Sequence, residues 1–345
     1  MTIAANSVGA TQPDGAGPIL SVSNLQACFR TNHFGVHRTV RAVDGISFDV
    51  GRGEIYGLAG ESSSGKTTLV RTIAAAIKPP LEVVGGTAEF SFLPGYDGLH
   101  RAPAAEVARI RWRHLSYIMQ GSMNVLNPVR RLRQSFVDFA RPHMAGTERK
   151  FEQAVIDHLA RVNLDASVLA AYPHELSGGM RQRVTIALAT ICRPDFIIAD
   201  EPTTALDVIV QKDVLGMIRG IQREIGSSVL FVTHDMGVHA HLTDRLGIMY
   251  AGRLIEEATT AEIFRAPLHP YTRHLIASLP RIGNDTPRKG LEGTPPNLAD
   301  PPPGCRFHPR CPLAMEVCSR SVPTMIGTAP GHRVACFAVN GSEEP

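Results

Sequence analysis

Apolar residues along this chain first alternate with polar ones and later gather at helical spacing. Leu20, Val22 and Leu25 open one alternating run, and Ile46, Phe48 and Val50 form a second. A period of two predicts half-buried strands, with a third short strand expected over 54–59. Over 67–77 the spacing changes. Leu69, Val70, Ile73, Ala74 and Ile77 recur as on one face of a helix, and Pro79-Pro80 stops the run. Residues from about 94 to 190 are dotted with charge and mostly helical in pattern. Two short runs, 196–199 and 229–232, are wholly apolar and rich in Ile, Val and Phe. Such runs suit strands buried on both faces of a parallel sheet. Beyond about residue 265 the periodicity fades, and Pro295, Pro296, Pro301, Pro302 and Pro303 lie ahead of a group of cysteines. That predicts an appended, loop-rich segment. No internal repeat is present, so one unit is expected and not two fused ones.

Size and charge narrow the picture only a little. The 345 residues suffice for one large core with an appendage, and the net charge of +3 is too small to argue for nucleic acid. Nothing approaches the roughly 18 continuous apolar residues of a membrane-spanning helix. Residues 1–17 contain no Lys or Arg and are rich in Gly, Ala, Ser and Thr, unlike a secretory signal. A flexible tail is expected there, and a protein that stays in the cytosol. Any action at a membrane would then need docking onto another chain. Basic residues are mostly Arg, with Lys at 66, 78, 150, 212 and 289, so Lys66 draws notice by its position.

Lys66 ends the most specific pattern in the chain. Gly60-Glu61-Ser62-Ser63-Ser64-Gly65-Lys66-Thr67, continued by Thr68, fits G-x-x-x-x-G-K-[ST] between an expected strand and an expected helix. Backbone N–H groups of such a loop cradle phosphates, Lys66 would reach the β- and γ-phosphates, and the Thr67 hydroxyl would ligate Mg²⁺. A second acidic feature fits this chemistry. The apolar run 196–199 ends in Asp200 and Glu201. Ligands of parallel α/β sheets sit beyond the carboxyl ends of strands. Asp200 is placed to hold Mg²⁺ and Glu201 to act as general base on the water attacking the γ-phosphate.

Leu176-Ser177-Gly178-Gly179-Met180-Arg181-Gln182-Arg183 lies between loop and acidic strand and precedes a helical run to Cys192. With this signature in this order, the chain resembles the ATPases of ABC transporters from about residue 18 onward. The resemblance implies an α/β fold of the P-loop NTPase kind: an ABC-type nucleotide-binding domain with RecA-like core, helical subdomain and β-subdomain. It places the ATPase domain at 18–265, with the Gln120 loop and helical subdomain over about 94–190, and a loop-rich, Cys-containing extension at 266–345. It also implies that Ser177, Gly178, Gly179 and Met180 face the ATP of a second subunit. Gln120 matches the glutamine that senses the γ-phosphate and joins Thr67 and Asp200 at the Mg²⁺ site. Asp207, closing Thr204-Ala205-Leu206-Asp207, matches the loop across the dimer interface, and His234 matches the switch histidine.

Finer details resemble the dipeptide, oligopeptide and nickel importer branch. These are Leu126-Asn127-Pro128, the stretch from Glu201-Pro202 to Asp207-Val208, His269-Pro270-Tyr271-Thr272, Pro302-Pro303-Gly304-Cys305 and His308-Pro309-Arg310-Cys311. Ser63 stands where the branch usually has Gly, which predicts a stiffer loop, and Gly121-Ser122 replaces the usual Asp-Pro. Phe34 and His37 are the candidate partners for adenine. The resemblance implies a motor subunit, on the cytoplasmic face of the membrane, of an importer most of all suited to peptides. Its partners would be two permease subunits, an extracytoplasmic solute-binding protein and a second ABC ATPase, expected to be a different chain. The competing reading is a soluble ABC ATPase acting on DNA or ribosomes. The chain has neither the long coiled-coil insertion nor the tandem units usual in that class.

Cys305, Cys311, Cys318 and Cys336 fall within the last 41 residues. In a reducing compartment such a group suggests metal before disulfides, as a [4Fe–4S] cluster or as zinc, with reduced thiols packing a loop as the third reading. The resemblance implies the [4Fe–4S] cluster on these four cysteines, with His308 as a less suitable ligand.

Overall fold

The computed structural model describes residues 17–121, 125–204, 206–279 and 291–340. The expected tail at 1–17, apart from Gly17, lies outside them, as do Ser122 and Ala205.

The strands are β1 Leu20–His33, β2 Val36–Val50, β3 Ile55–Ala59, β4 Leu81–Phe90, β5 Leu115–Ile118, β6 Phe196–Asp200, β7 Ser228–Val232, β8 Arg245–Tyr250, β9 Arg253–Thr259, β10 Ile326–Ala329 and β11 His332–Val334. The helices are α1 Lys66–Ile73, α2 Ala104–Ile110, α3 Leu132–Phe139, α4 Glu148–Arg161, α5 Gly178–Thr190, α6 Val208–Ile225, α7 Met236–Leu242, α8 Thr260–Arg265, α9 Pro270–Ala277, α10 Glu316–Arg320 and α11 Phe337–Asn340.

Two sheets organise these elements. β2-β1-β4 form an antiparallel sheet, and the larger sheet runs β10-β11-β9-β8-β3-β7-β6-β5. From β8 to β5 the larger sheet is parallel. Side chains on successive strand residues point to opposite faces, and both faces here are covered. Phe196, Ile198, Leu230 and Val232 face the core shared with α1 and the antiparallel sheet. Ile197, Ala199, Val229 and Phe231 face the core built with α3, α4, α5 and α6. That double burial explains why β6 and β7 read as unbroken apolar runs.

Two features go beyond what the pattern shows. The region from 94 to 190 contains a strand, β5, whose four residues are too few to interrupt a helical pattern visibly. The segment after 265 is loop-rich in part, yet it joins the sheet. β11 pairs antiparallel with β9 through Arg333↔Glu257 and Val334↔Glu256. Glu256, fully buried, accepts hydrogen bonds from the backbone of Leu268 and His269 and meets the His332 ring at 2.8 Å. Polar contacts of this kind carry no hydrophobic period, which is why the docking escapes pattern reading.

Candidate active site

The loop of residues 60–67 connects β3 to α1 at the carboxyl edge of the parallel strands. Glycine is required at both ends. Gly60 has φ +145° and Gly65 φ +101°, and a Cβ on either would lie about 2 Å from a carbonyl oxygen, of Met249 or of Ala42. Ser63 adopts φ +65° without being glycine, so the stiffness expected of it coincides with a left-handed backbone that disfavours side chains.

Lys66 is buried and its ammonium curls back into the loop. It donates to the carbonyls of Gly60 at 2.6 Å and Glu61 at 2.9 Å, and to the Ser64 hydroxyl at 3.3 Å. Burial pulls its pKa down to about 8, against the upward pull of Glu201 and Asp200. Lys66, Thr67, Thr68, Gln120 and Glu201 line one cleft of about 330 Å³.

Asp200, at the end of β6, meets the Thr67 hydroxyl at 3.4 Å and the Tyr117 hydroxyl at 3.3 Å. Burial raises its pKa to about 6, and the neighbouring Glu201 charge pushes the same way. A buried carboxylate touching a hydroxyl, with an amide-bearing Gln120 on the same cleft, is a set of hard oxygen donors. It fits a small divalent cation such as Mg²⁺. Tyr117 was not singled out by the sequence; its place three residues ahead of Gln120 on β5 is the only signal for it.

Glu201 sits at φ +51°. Its carboxylate accepts from the His234 backbone N–H at 3.1 Å and lies 2.8 Å from His234 Nδ1. The hydroxyls of Thr204, at 2.9 Å, and Thr233, at 3.3 Å, donate to its other oxygen. The strand ends of β6 and β7 thus bring together two residues 33 positions apart.

The signature lies elsewhere on the chain. Ser177 caps α5, accepting from Met180 N–H at 3.3 Å. Ser177, Gly178, Gly179 and Met180 do not line the cleft around Lys66. Gly179 packs close to α6, where a Cβ would fall 2.9 Å from a Val210 methyl. Asp207 caps α6 through Val210 N–H at 2.9 Å. Gly179 of α5 and the α6 start capped by Asp207 therefore meet at Val210.

Phe34 and His37 are exposed at the β1–β2 turn and do not reach the cleft. Phe29, Val40 and Leu298 line it instead. The paired Phe29 and Val40 lie on the cleft, while the hairpin's tip beyond them does not, and the sequence does not distinguish the two.

A family model described as ABC transporter matches residues 43–204, and one described as the oligopeptide/dipeptide transporter C-terminal region matches 255–318. The dipeptide transport ATP-binding protein DppD of Bacillus subtilis (strain 168) is 40% identical over 92% of this chain and 94% of its own length. The chain belongs to the ATP-binding subunits of ABC transporters. A putative peptide import ATP-binding protein of Brucella ovis is 37% identical over 94% of this chain and 98% of its own. The fold is that of solved ABC cassettes. The ABC cassette MJ0796 bound to ADP and Pi has a TM-score of 0.59 at 22% identity, covering 70% of this chain and 98% of its own. The cbiO1 subunit from Clostridium perfringens has 0.59 at 24%, covering 73% and 92%. This ABC subunit is an ATPase of an importer, and the reading as a soluble ATPase on DNA or ribosomes is not favoured.

Two expectations are overturned. Among the described residues no group of three or more His, Cys, Asp or Glu side chains is arranged to hold a metal ion. The [4Fe–4S] cluster on Cys305, Cys311, Cys318 and Cys336, and zinc there, are therefore not supported. All four are free thiols. Burial pushes the Cys305 thiol up to about 11 and raises those of Cys311 and Cys336. The segment is held instead by backbone bonds, such as Cys305 N–H to Cys318 O at 2.8 Å, and by apolar packing around Phe307. The unlike ATPase partner is withdrawn as well. The one cassette matched over 43–204 carries both phosphate loop and signature, so no different chain is needed to complete a two-site motor.

Proposed function

We propose that this subunit drives peptide uptake as the ATP-hydrolysing motor of a transporter whose permeases and solute-binding protein are separate chains. The cassette would be residues 18–265 and the branch-specific extension 266–345, peripheral on the cytoplasmic face of the membrane. Among the described residues no helix is long and apolar enough to cross a bilayer. The observation that carries the reading is the convergence of Lys66, Thr67, Gln120 and Glu201 on one cleft, with Asp200 touching Thr67. The peptide cargo follows from the relatives, a dipeptide transport and a peptide import ATP-binding protein.

In this mechanism the loop N–H groups and Lys66 bind the ATP phosphates, Lys66 exchanging the Gly60 and Glu61 carbonyls for phosphate oxygens. Mg²⁺, held through Thr67, Asp200 and Gln120, would neutralise charge on the β- and γ-phosphates. Glu201 takes the proton of the attacking water. His234 holds the Glu201 carboxylate in place through two contacts on one oxygen. Ser177, Gly178, Gly179 and Met180 close over the γ-phosphate held by a second cassette, with Asp207 across the interface, and Phe29 and Leu298 flank the base. Closure of the two cassettes pushes on the permeases near the Gln120–Pro128 segment.

Substituting Glu201→Gln tests the base. Hydrolysis should fall by about 10²–10⁴-fold while ATP binding persists. Retention of the full rate would remove Glu201 from that role.

A further inference from the structure

The extension reaches the phosphate loop at Glu61. Arg310 forks onto the Glu61 carboxylate, Nη1 to Oε2 at 2.9 Å and Nη2 to Oε1 at 3.2 Å. Two further donors are also engaged, Nη1 with the Tyr250 hydroxyl at 3.2 Å and Nε with the Glu292 carbonyl at 3.1 Å. The Arg310 side chain is only 7% exposed. Tyr271, fully buried on α9, accepts a hydrogen bond from the Glu61 backbone N–H at 2.8 Å. Tyr271 packs against Tyr250 and Phe307, so the acceptor is fixed by a cluster of rings.

Glu61 in turn touches the catalytic lysine. Its carbonyl accepts from Lys66 Nζ at 2.9 Å and from Ser64 N–H at 3.2 Å. Side chain and N–H of Glu61 face the extension, and its carbonyl faces the phosphate-binding ammonium. Arg306 makes a second link. It donates to the carbonyl of Ala251 and to Asp44, and Gly252 N–H donates to the Ser64 carbonyl at 2.8 Å. Leu298 closes the other wall of the cleft, its carbonyl accepting from Arg41 N–H at 3.1 Å.

We propose that the C-terminal extension is a working part of the ATP site, with Arg310 and Tyr271 as positioning residues that set the phosphate loop through Glu61. A bidentate, largely buried ion pair fixes both distance and orientation. The carboxylate held here is one residue into the loop, and its own carbonyl partners Lys66. Losing the fork lets the start of the loop drift, and the N–H groups and Lys66 no longer meet the phosphates in one arrangement. The effect falls on binding of the phosphates. The water-activating pair Glu201 and His234 stands just beyond the ends of β6 and β7 and keeps its geometry.

This inference rests on the reading of the cleft as the ATP site. The test compares Mg·ATP affinity, KM and kcat of the full-length chain with those of Arg310→Gln, Arg310→Lys, Glu61→Gln and the Arg310→Gln/Glu61→Gln double variant. Arg310→Gln and Glu61→Gln should each weaken ATP binding and raise KM about tenfold, the size of one charge-assisted hydrogen bond. The kcat should change less than KM. Arg310→Lys should recover part of the loss, since an ammonium supplies the charge without the fork. The double variant should bind no worse than either single one, because both remove the same contact. A KM for Arg310→Gln within about twofold of the unsubstituted chain, or single losses that multiply in the double variant, would overturn the proposal. If Arg310→Gln does not fold, Glu61→Gln decides by itself, its carboxylate being more exposed, at 27%. An unsubstituted chain that fails to bind ATP would instead sink the reading of the cleft.

Discussion

Lys66 and Asp200 set opposite limits on the pH range in which this site can work. Burial lowers the Lys66 pKa to about 8, so above that value the ammonium loses the charge that phosphates recognise. Burial raises Asp200 to about 6, so below that value the carboxylate carries a proton where a cation should sit. Mg·ATP affinity should therefore plateau between about pH 6 and 8 and fall on both sides. Calorimetric titration from pH 5 to 10 checks this, and affinity unchanged at the alkaline end would show that Lys66 stays charged. Asp200 also bears on stability. Its folded pKa lies above the ordinary 3.8, so the folded chain binds that proton more tightly than the unfolded one. The associated stability is fully present below about 3.8 and is lost as pH rises through about 6. Asp200→Asn should remove this slope from the nucleotide-free protein, read as melting temperature against pH. These residue-level features were legible as identities, because loop, acidic pair and signature have fixed local spacing. Their protonation was not, because it depends on burial by strands distant in sequence. Tyr117 stayed hidden for the same reason: only pairing of β5 with β6 sets it beside Asp200.

At the scale of elements, α9 shows how a short motif builds a long-range contact. His269 caps the helix, its Nδ1 accepting from Tyr271 N–H at 3.0 Å, and Pro270 follows at the first helical position. Burial holds the imidazole neutral, with a pKa of about 3, which keeps Nδ1 free to accept. The cap orients Tyr271 toward the backbone of Glu61. His269→Ala should cost about 1 kcal/mol from the lost cap, with more from lost contact with Phe307, and should weaken ATP binding through Tyr271. His269→Asn, which can also cap, should restore part of the stability. Urea denaturation of both variants decides, and equal stability of Ala and Asn would exclude a capping role. Legible in the sequence were the alternating strands β1 and β2, the short strand β3, the unbroken apolar runs of β6 and β7, and the start of α1. Helix α1 ends at Ile73, short of the expected 77, and Ala75 has left the helix at φ +50°. An apolar stripe that continues past a turn gives no sign of such an end.

Over the whole molecule, cassette and extension share one sheet. Strand β11 covers the edge of β9, and β10 covers β11. Ending the chain at residue 325 would strip both and leave β9 as a bare edge carrying buried Glu256 and Glu257. An uncovered edge strand is a template for association, so the shortened chain should elute as aggregates in gel filtration. A monodisperse, ATP-binding product would show that the hairpin is dispensable. The extension's proline and cysteine content announced an appended, loop-rich segment but gave no sign of how it docks on the sheet. Its attachment uses a three-residue strand, single arginines and buried carboxylates, none of which leaves a periodic trace. The expected metal centre is not supported: spacing brings four thiols into one segment but does not by itself make a ligand set, and no metal-holding group is found among the described residues.

The central claim is that ATP hydrolysis here is coupled to solute uptake through other chains. The most direct test is to isolate the subunit from native membranes in mild detergent with whatever accompanies it. The assembly would then be placed in vesicles, and hydrolysis measured with and without peptide-loaded binding protein. The account predicts recovery of permeases and hydrolysis that rises with the loaded binding protein and drives peptide into the vesicle lumen. Recovery from the soluble fraction with no permease, or hydrolysis indifferent to peptide, would contradict it.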